Sequence, residues 1–87
     1  MISTKGRYAL RVMIDLAQHK DEEYVPLNEI AIRQEISEKY LEIVLKILVK
    51  KKLLKGRRGK GGAYQLTREP SEYTIGEILE LAEGNLA

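Results

Sequence analysis

The chain has 87 residues, which is enough for one domain with a modest hydrophobic core, and it carries a net charge of +2. Its apolar fraction of 44% is typical of a globular protein and argues against disorder. Because it contains no cysteine, these residues exclude a disulfide scaffold, a thiolate zinc site and a cysteine-ligated iron–sulfur cluster. The sequence shows no apolar run that could span a bilayer and no secretory signal, so we expect a cytoplasmic protein with no membrane partner.

Positive charge is concentrated in the middle of the chain. Residues 37–64 contain nine Lys or Arg against two Glu, a net charge of +7, so the remaining residues are acidic on balance. A basic stretch in an otherwise acidic chain is typical of a surface that binds a polyanion. The alternative is an ordinary solvated surface rich in Lys and Glu. We favour the polyanion because the basic residues fall on the elements that would contact it.

The first part of the chain predicts one long helix followed by a charged loop. We expect this helix over residues 5–19, capped by Ser3 or Thr4, because a hydroxyl can accept from the free backbone N–H groups. Polar side chains recur at spacings of four, four and three residues and form one stripe: Arg7, Arg11, Asp15 and Gln18. The other side chains of this helix are mostly apolar, so most of its surface should be buried.

Two shorter helices follow, joined by a tight turn. Pro26 favours an extended conformation at residues 24–26 and then suits the start of a helix over residues 27–35. Ser37 is the expected cap of a third helix over residues 38–51. The apolar stripe of this third helix comprises Leu41, Val44, Leu45 and Leu48. Its opposite stripe is polar and comprises Lys39, Glu42, Lys46 and Lys50.

The last third of the chain predicts a β-hairpin and a fourth helix. Residues 53–58 and 63–67 have the pattern of two short strands, and three glycines between them suit a tip with positive φ angles. A loop leads to Thr74 and Glu77, which have the spacing of a capping box, in which each side chain accepts from the other residue's backbone N–H. The fourth helix should end near residue 83, with Gly84 as its cap.

This order of elements is that of the winged helix-turn-helix, a mainly α fold with a small β-hairpin wing. Glu35 occupies the turn position where many such motifs have glycine. The third helix of this fold enters the major groove of B-DNA, with its N-terminal residues towards the base edges. Those residues are Ser37, Glu38, Lys39 and Tyr40, with Glu42 one turn further along.

Two of these residues have an alternative interpretation. Glu42 could accept a hydrogen bond from a cytosine amino group, or it could form an intrahelical ion pair with Lys46. Tyr40 could contact a base, or it could pack in the core with its hydroxyl at the surface, which we favour. Lys39 could donate to guanine or to a phosphate.

The hairpin adds a second candidate contact with nucleic acid. Arg57, Arg58 and Lys60 lie among glycines that let the backbone approach a narrow surface closely. Arginine suits a narrow minor groove, where the negative potential is strong. A nucleotide-binding phosphate loop is the competing interpretation, but such a loop leads into a helix, whereas residues 63–66 alternate like a strand.

Catalysis has little support in the sequence. His19 is the only histidine and has no nucleophilic partner nearby in the chain. Glu77, Glu80 and Glu83 lie three residues apart on the fourth helix, where without histidine or cysteine they form either a solvated face or a contact surface. We therefore predict that the protein is not an enzyme and holds no metal or cofactor in this chain.

Four segments in a fixed order carry a family resemblance: Ser3 to Ala9, Tyr40 to Glu42, Arg58 to Leu66, and Ile75 to Ile78 with Glu83-Gly84. They resemble the Rrf2 family of bacterial winged helix-turn-helix transcriptional regulators, over essentially the whole chain. The resemblance implies a dimeric, cytoplasmic repressor or activator that binds a palindromic operator. It places Lys39, Tyr40 and Glu42 at the bases and Arg58 in the minor groove. It also places Thr4, Lys5 and Tyr8 near phosphates.

The resemblance also implies a longer protein. Family members continue through a sensor segment and a long dimerisation helix, and in the iron–sulfur members the ligating cysteines follow soon after the position of Glu83-Gly84. We therefore expect residues 1–87 to form a DNA-binding domain that lacks this C-terminal region, where an iron–sulfur cluster could be held.

The leading hypothesis is sequence-specific binding of double-stranded DNA by a transcriptional regulator, with repression favoured over activation. The alternative is a winged-helix module that binds protein without DNA, using the apolar and acidic fourth helix together with the basic surface. The predicted DNA-binding set comprises Thr4, Lys5, Tyr8, Ser37, Glu38, Lys39, Tyr40, Glu42, Lys46, Arg57, Arg58 and Lys60.

Overall fold

A computed structural model describes residues 2–59 and 62–83 of the chain. In chain order its elements are α1 (Thr4–Gln18), β1 (Val25–Pro26), α2 (Leu27–Gln34), α3 (Glu38–Lys50), β2 (Leu54–Arg57), β3 (Ala63–Leu66) and α4 (Ile75–Glu83), with a 3-10 helix at Pro70–Glu72 before α4. The predicted mainly α fold with a β-hairpin is confirmed, and the ends of the first three helices differ from prediction by at most one residue. The predicted tip residues Lys60 and Gly61 and the predicted cap Gly84 lie outside the described residues.

Serine hydroxyls cap α1 and α3, as the sequence predicts. The Ser3 hydroxyl accepts from the Gly6 N–H at 3.0 Å, and the Ser37 hydroxyl accepts from the Tyr40 N–H at 3.2 Å. The Ser3 hydroxyl also donates to the carboxylate of Glu83, at 2.7 and 2.8 Å from its two oxygens. The N-terminus of α1 is therefore joined to the last turn of α4.

The turn between α2 and α3 forms without the expected glycine. Glu35 adopts the left-handed conformation, with φ 56° and ψ 46°, and ends α2. The Ile36 N–H donates to the Ala31 carbonyl at 3.1 Å, which closes the turn. A residue with a side chain pays about 1 kcal/mol for this conformation, so the surrounding packing must hold it.

The hairpin is part of a three-stranded antiparallel sheet in the order β1-β3-β2. β2 pairs with β3 from Leu54 opposite Leu66 to Arg57 opposite Ala63. The sequence predicts β1 only as an extended segment. In the structure β1 pairs with the edge of β3 that faces away from β2, with Val25 opposite Tyr64. The hairpin is thus anchored along its far edge to the chain that enters α2.

The core lies where α1, α3 and α4 meet the base of the hairpin. The predicted apolar stripe of α3 is confirmed, since each of its four members is at most 1% exposed. Leu53 and Leu54 continue the core into β2, and Ile78 and Ala82 bring in α4. Since α3 contributes its whole apolar face to this core, its polar face must point outwards.

Asp15 belongs to the predicted polar stripe of α1, but unlike the other members of that stripe it is buried, at 1% exposed. Its carboxylate accepts two hydrogen bonds from Arg33, at 2.8 and 3.0 Å, and one from the Gln34 side chain at 2.8 Å. Arg11 donates in turn to the side-chain and backbone oxygens of Gln34. These contacts fix α1 to the end of α2.

The pKa of Asp15 reflects this environment. Burial raises the pKa, but the hydrogen bonds from Arg33 and Gln34 and the positive charge of Arg33 outweigh burial. The pKa of this carboxyl therefore lies below the ordinary value of 3.8. Ionised Asp15 consequently stabilises the fold.

A second polar cluster joins the loop after the hairpin to α4. The Tyr73 hydroxyl donates to the Leu53 carbonyl at 2.8 Å and accepts from the backbone N–H groups of Thr67 and Arg68 at 3.0 and 3.1 Å. The Arg68 guanidinium lies 4.9 Å from the centre of the Tyr73 ring and donates two 2.8 Å hydrogen bonds to Glu77. This cluster holds the end of β3 against the start of α4.

The predicted capping box is confirmed in its first half. The Thr74 hydroxyl accepts from the Glu77 N–H at 2.9 Å. The Glu77 carboxylate has Arg68 as its main partner, because a guanidinium offers two parallel charge-assisted bonds. The hydrogen bond from Arg68, together with the positive charge of Arg68, outweighs the opposing effect of burial and holds the pKa of Glu77 below its ordinary value.

We expect Asp15→Ala to lower the free energy of unfolding by about 3 kcal/mol near neutral pH, because Arg33 and Gln34 lose a buried partner. The difference from the parent should shrink in acid. Since the folded pKa is depressed, the stabilisation by Asp15 is present above the unfolded pKa and is lost as pH falls through the folded one. Urea denaturation at several pH values measures both effects.

Asp21→Ala is the matched control, because Asp21 is an exposed carboxylate in the loop after α1. Its removal should change the free energy of unfolding by less than about 0.5 kcal/mol at any pH. A difference between Asp15→Ala and the parent that stays constant down to strongly acidic pH would contradict the assigned role of the Asp15 charge.

Candidate nucleic-acid interface

The outward face of α3 carries most of the predicted site. Its exposed side chains are Glu38, Lys39, Glu42, Ile43, Lys46 and Lys50. They stand opposite the buried apolar stripe, so the packing of α3 on the core determines which way this face points. Apart from Ile43, the face is charged throughout, and it begins at the N-terminal turn capped by Ser37.

An open groove of about 660 Å³ separates this face from the hairpin. One wall comes from α3 and the other from residues 56–59 and Gly62. The charged lining residues are four cations and one carboxylate: Lys46, Lys50, Arg57, Arg58 and Glu42. The structure thus brings predicted residues of α3 and of the hairpin together around one cationic concave surface.

Tyr64 forms the floor of this groove. Its ring lies across two glycines, since a Cβ at Gly56 would come within 3.2 Å of the ring and one at Gly62 within 2.9 Å of the hydroxyl. Gly62 also has φ +81°, which disfavours any other residue. Burial, followed by the negative charge of Glu42, raises the pKa of Tyr64. Tyr64 and residues of α3 therefore line the same groove. Tyr64 is not among the site residues predicted from the sequence, although the glycines near it could have indicated that an aromatic ring packs there.

Tyr8 and Tyr40 lie against each other where α1 meets the start of α3. Their ring centres are 5.4 Å apart at an angle of 73°, and both side chains are half-buried against the core. Packing is therefore one role of Tyr40, in line with the favoured interpretation. Arg11 lies 5.4 Å from the Tyr8 ring centre, so the Asp15 network reaches this tyrosine pair. Near them on α1, Thr4 is exposed and Lys5 is half-buried.

The two arginines of the hairpin have different surroundings. The Arg57 guanidinium lies 4.6 Å from the centre of the Tyr24 ring, which attracts a cation through its π electrons. This contact joins β2 to the residue before β1, so Arg57 helps to hold the hairpin in place. Arg58 is exposed beyond the end of β2.

The structure bears on the two interpretations of Glu42. No ion pair joins the described side chains of Glu42 and Lys46. Glu42 instead lies near enough to Tyr64 for its charge to affect the pKa of that hydroxyl. An intrahelical pair therefore does not explain the carboxylate on this basic face.

The polar residues considered for catalysis are engaged elsewhere. Nδ1 of His19 lies 2.8 Å from the Asp15 carbonyl oxygen. On α4, Glu77 accepts hydrogen bonds from Arg68, and Glu83 accepts from the Ser3 hydroxyl. Across residues 2–59 and 62–83, no three His, Cys, Asp or Glu side chains are grouped to hold a metal ion. None of the described helices has the length and apolarity to cross a membrane.

The helix-turn-helix, the paired hairpin and the cationic groove between them define a winged helix-turn-helix domain. The sequence matches the profile of the Rrf2 family, described as an iron-dependent transcriptional regulator, over residues 2–87. The chain belongs to the Rrf2 family, which confirms the resemblance.

Individual relatives agree with this assignment. The transcriptional regulator IscR of Photorhabdus laumondii is 42% identical over 78 residues, covering 90% of this chain and 48% of the relative. CymR of Bacillus subtilis is 42% identical over 86 residues, covering 99% and 62%. The solved structure of T. potens IscR superposes with a TM-score of 0.86 at 46% identity, covering 100% of this chain and 64% of that one. The chain thus spans about half to two thirds of the length of these relatives.

We expect Gly62→Ala to lower the free energy of unfolding by about 1–2 kcal/mol, because the new Cβ meets the Tyr64 hydroxyl at a strained φ. Gly76→Ala is the matched control, since a Cβ there meets no described atom within 4 Å and lies in α4. It should raise the free energy of unfolding by up to about 1 kcal/mol. Equal stabilities for the two variants in thermal unfolding would show that the position of Tyr64 does not depend on glycine at residue 62.

Proposed function

We propose that the chain is the DNA-binding domain of a longer bacterial transcriptional regulator and that it binds double-stranded DNA sequence-specifically, acting as a repressor. The observation that carries the proposal is the cationic groove, which has the exposed face of α3 on one side and the Arg58 hairpin on the other. The family assignment supports the same function. As the relatives are bacterial transcriptional regulators, the proposed compartment is the cytoplasm, where the chromosome lies.

In this proposal α3 enters the major groove. A helix fits that groove, which is about 12 Å wide, and its N-terminal residues come closest to the base edges. Lys39 and Glu42 are exposed on the first turns of α3 and can donate to guanine and accept from a cytosine amino group respectively. Ser37 and Glu38 stand at the same end, so they complete the proposed surface for base contact.

The hairpin contacts the neighbouring minor groove in this proposal. Arg58 is exposed beside the groove and is the residue that we assign to base edges there. Arg57 is already held by Tyr24, so its proposed role is to position the hairpin and to supply charge. Lys46 and Lys60 are assigned to phosphates, as are Thr4, Lys5 and Tyr8, with Tyr40 packing between Tyr8 and the start of α3.

We propose that the full protein acts as a dimer on a palindromic operator, because two copies of α3 would then contact two half-sites. The greater length of the relatives leaves room for segments that sense and dimerise. These 87 residues contain no cysteine, and the described ones group no metal ligands, so any iron–sulfur cluster of the full protein would be ligated by other residues.

The interaction-module alternative receives less support. It would use the apolar and acidic fourth helix, but the Glu77 and Glu83 carboxylates of α4 already bind Arg68 and Ser3. The basic groove remains to be explained, and a polyanion explains it directly.

Selection of genomic fragments with the purified chain at low salt tests the proposal. We expect a palindromic duplex to be enriched, and its affinity to fall steeply with salt because Lys and Arg contacts release counterions. Enrichment without sequence preference would leave only phosphate binding, and the absence of retention on any duplex would favour the interaction module.

Variants of the groove should separate base contacts from phosphate contacts. Glu42→Ala and Arg58→Ala should each relax the preference at one position by about 1–3 kcal/mol, while Lys60→Ala should weaken binding to all duplexes and reduce the salt slope by about 1. Glu22→Ala, in the exposed loop after α1, is the control for loss of a carboxylate and should bind like the parent. If Arg58→Ala discriminated between duplexes as well as the parent, the assignment of the hairpin would be wrong.

A further inference from the structure

Ile43 is the one apolar side chain on the exposed face of α3. It is 49% exposed, and its neighbours one turn away on the helix surface are the exposed Lys39 and Lys46 on one side and the half-buried Tyr40 and Ile47 on the other. The apolar stripe of α3 is complete without it, since Leu41, Val44, Leu45 and Leu48 already fill the core side. Packing within the domain therefore does not explain why this position is isoleucine.

The chemistry of Ile43 suits contact with another small apolar group. A β-branched side chain has one strongly preferred χ1 rotamer in a helix, so the Cγ2 methyl group of Ile43 is held in a fixed direction. Among the base edges of the major groove, only thymine presents a methyl group, at C5. Burying that methyl against isoleucine removes apolar surface of both partners from water.

We propose that Ile43 recognises the 5-methyl group of a thymine and is a specificity-determining residue of α3. This inference rests on the proposed entry of α3 into the major groove. Ile43 follows Lys39 by four residues and precedes Lys46 by three, so all three lie along one line on the helix surface. Glu42 and Ile43 are separated by about 1.5 Å along the helix axis, so the thymine lies within about two base pairs of the base that contacts Glu42.

Replacement of thymine by deoxyuridine tests the proposal, because it removes only the methyl group. The selected duplex is prepared with a single deoxyuridine at each thymine position in turn, and the affinity of each duplex is measured at constant salt. The parent should lose roughly fourfold in affinity at one thymine position of each half-site, the value for one buried methyl-sized group. Ile43→Ala should bind the thymine and deoxyuridine duplexes equally at that position.

Ile32→Ala is the matched control. Ile32 is 74% exposed on α2 and does not line the groove between α3 and the hairpin, so this variant should keep the full sensitivity to the missing methyl. Alanine is the best helix former, so Ile43→Ala should fold like the parent, and circular dichroism checks this.

The outcomes separate the two claims. If the parent selects a duplex but tolerates deoxyuridine everywhere, or if Ile43→Ala keeps the thymine preference, the inference about Ile43 is overturned and the proposed function stands. If the parent shows no preference among duplexes, both are overturned. If Ile43→Ala loses the preference for thymine over deoxyuridine while the parent and Ile32→Ala keep it, the result supports both the inference about Ile43 and the proposed function.

Discussion

The orientation of α3 depends on Asp15, a carboxylate buried in α1. Asp15 binds Arg33 and Gln34, the last two residues of α2, and the left-handed turn at Glu35 follows immediately. Because the turn is only a few residues long, fixing its first end also fixes the direction in which α3 leaves it. The ion pair between buried Asp15 and partly exposed Arg33 therefore both stabilises the fold and orients the turn. Arg11, which binds Gln34, also contacts the ring of Tyr8, and Tyr8 contacts Tyr40 on the first turn of α3. The same network therefore reaches α3 by a second route.

Local features of the fold could be predicted because their causes are local. Ser3 and Ser37 cap helices through hydroxyls three residues from the N–H groups that they bind, and the apolar stripe of α3 is visible as a spacing. The burial of Asp15 could not be predicted because periodicity shows which residues share a helix face but not which element will cover it. The pair of Arg68 and Glu77 joins a loop to a helix, so no spacing rule indicates it.

The candidate site also contains some features that follow from the local sequence and others that depend on contacts between distant parts of the chain. The charged outer face of α3 follows from its apolar inner face, and the structure places these residues as the sequence indicates. The role of Tyr64 required the sheet register, which sets its ring beside Gly56 and the hydroxyl beside Gly62. The contact of Arg57 with Tyr24 required the pairing of β1 with β3, which brings together residues that are far apart in the chain.

The hydroxyl of Ser3 has two partners that lie near opposite ends of the chain. It accepts from the Gly6 N–H as the cap of α1 and donates to the Glu83 carboxylate at the end of α4. Gly6 lacks a side chain where that carboxylate approaches, so the two helices come close at this point. A shift of the last turn of α4 would therefore pull directly on the cap of α1, beside Thr4 and Lys5. The domain thus has a short mechanical link by which strain at one terminus reaches the other without passing through the core.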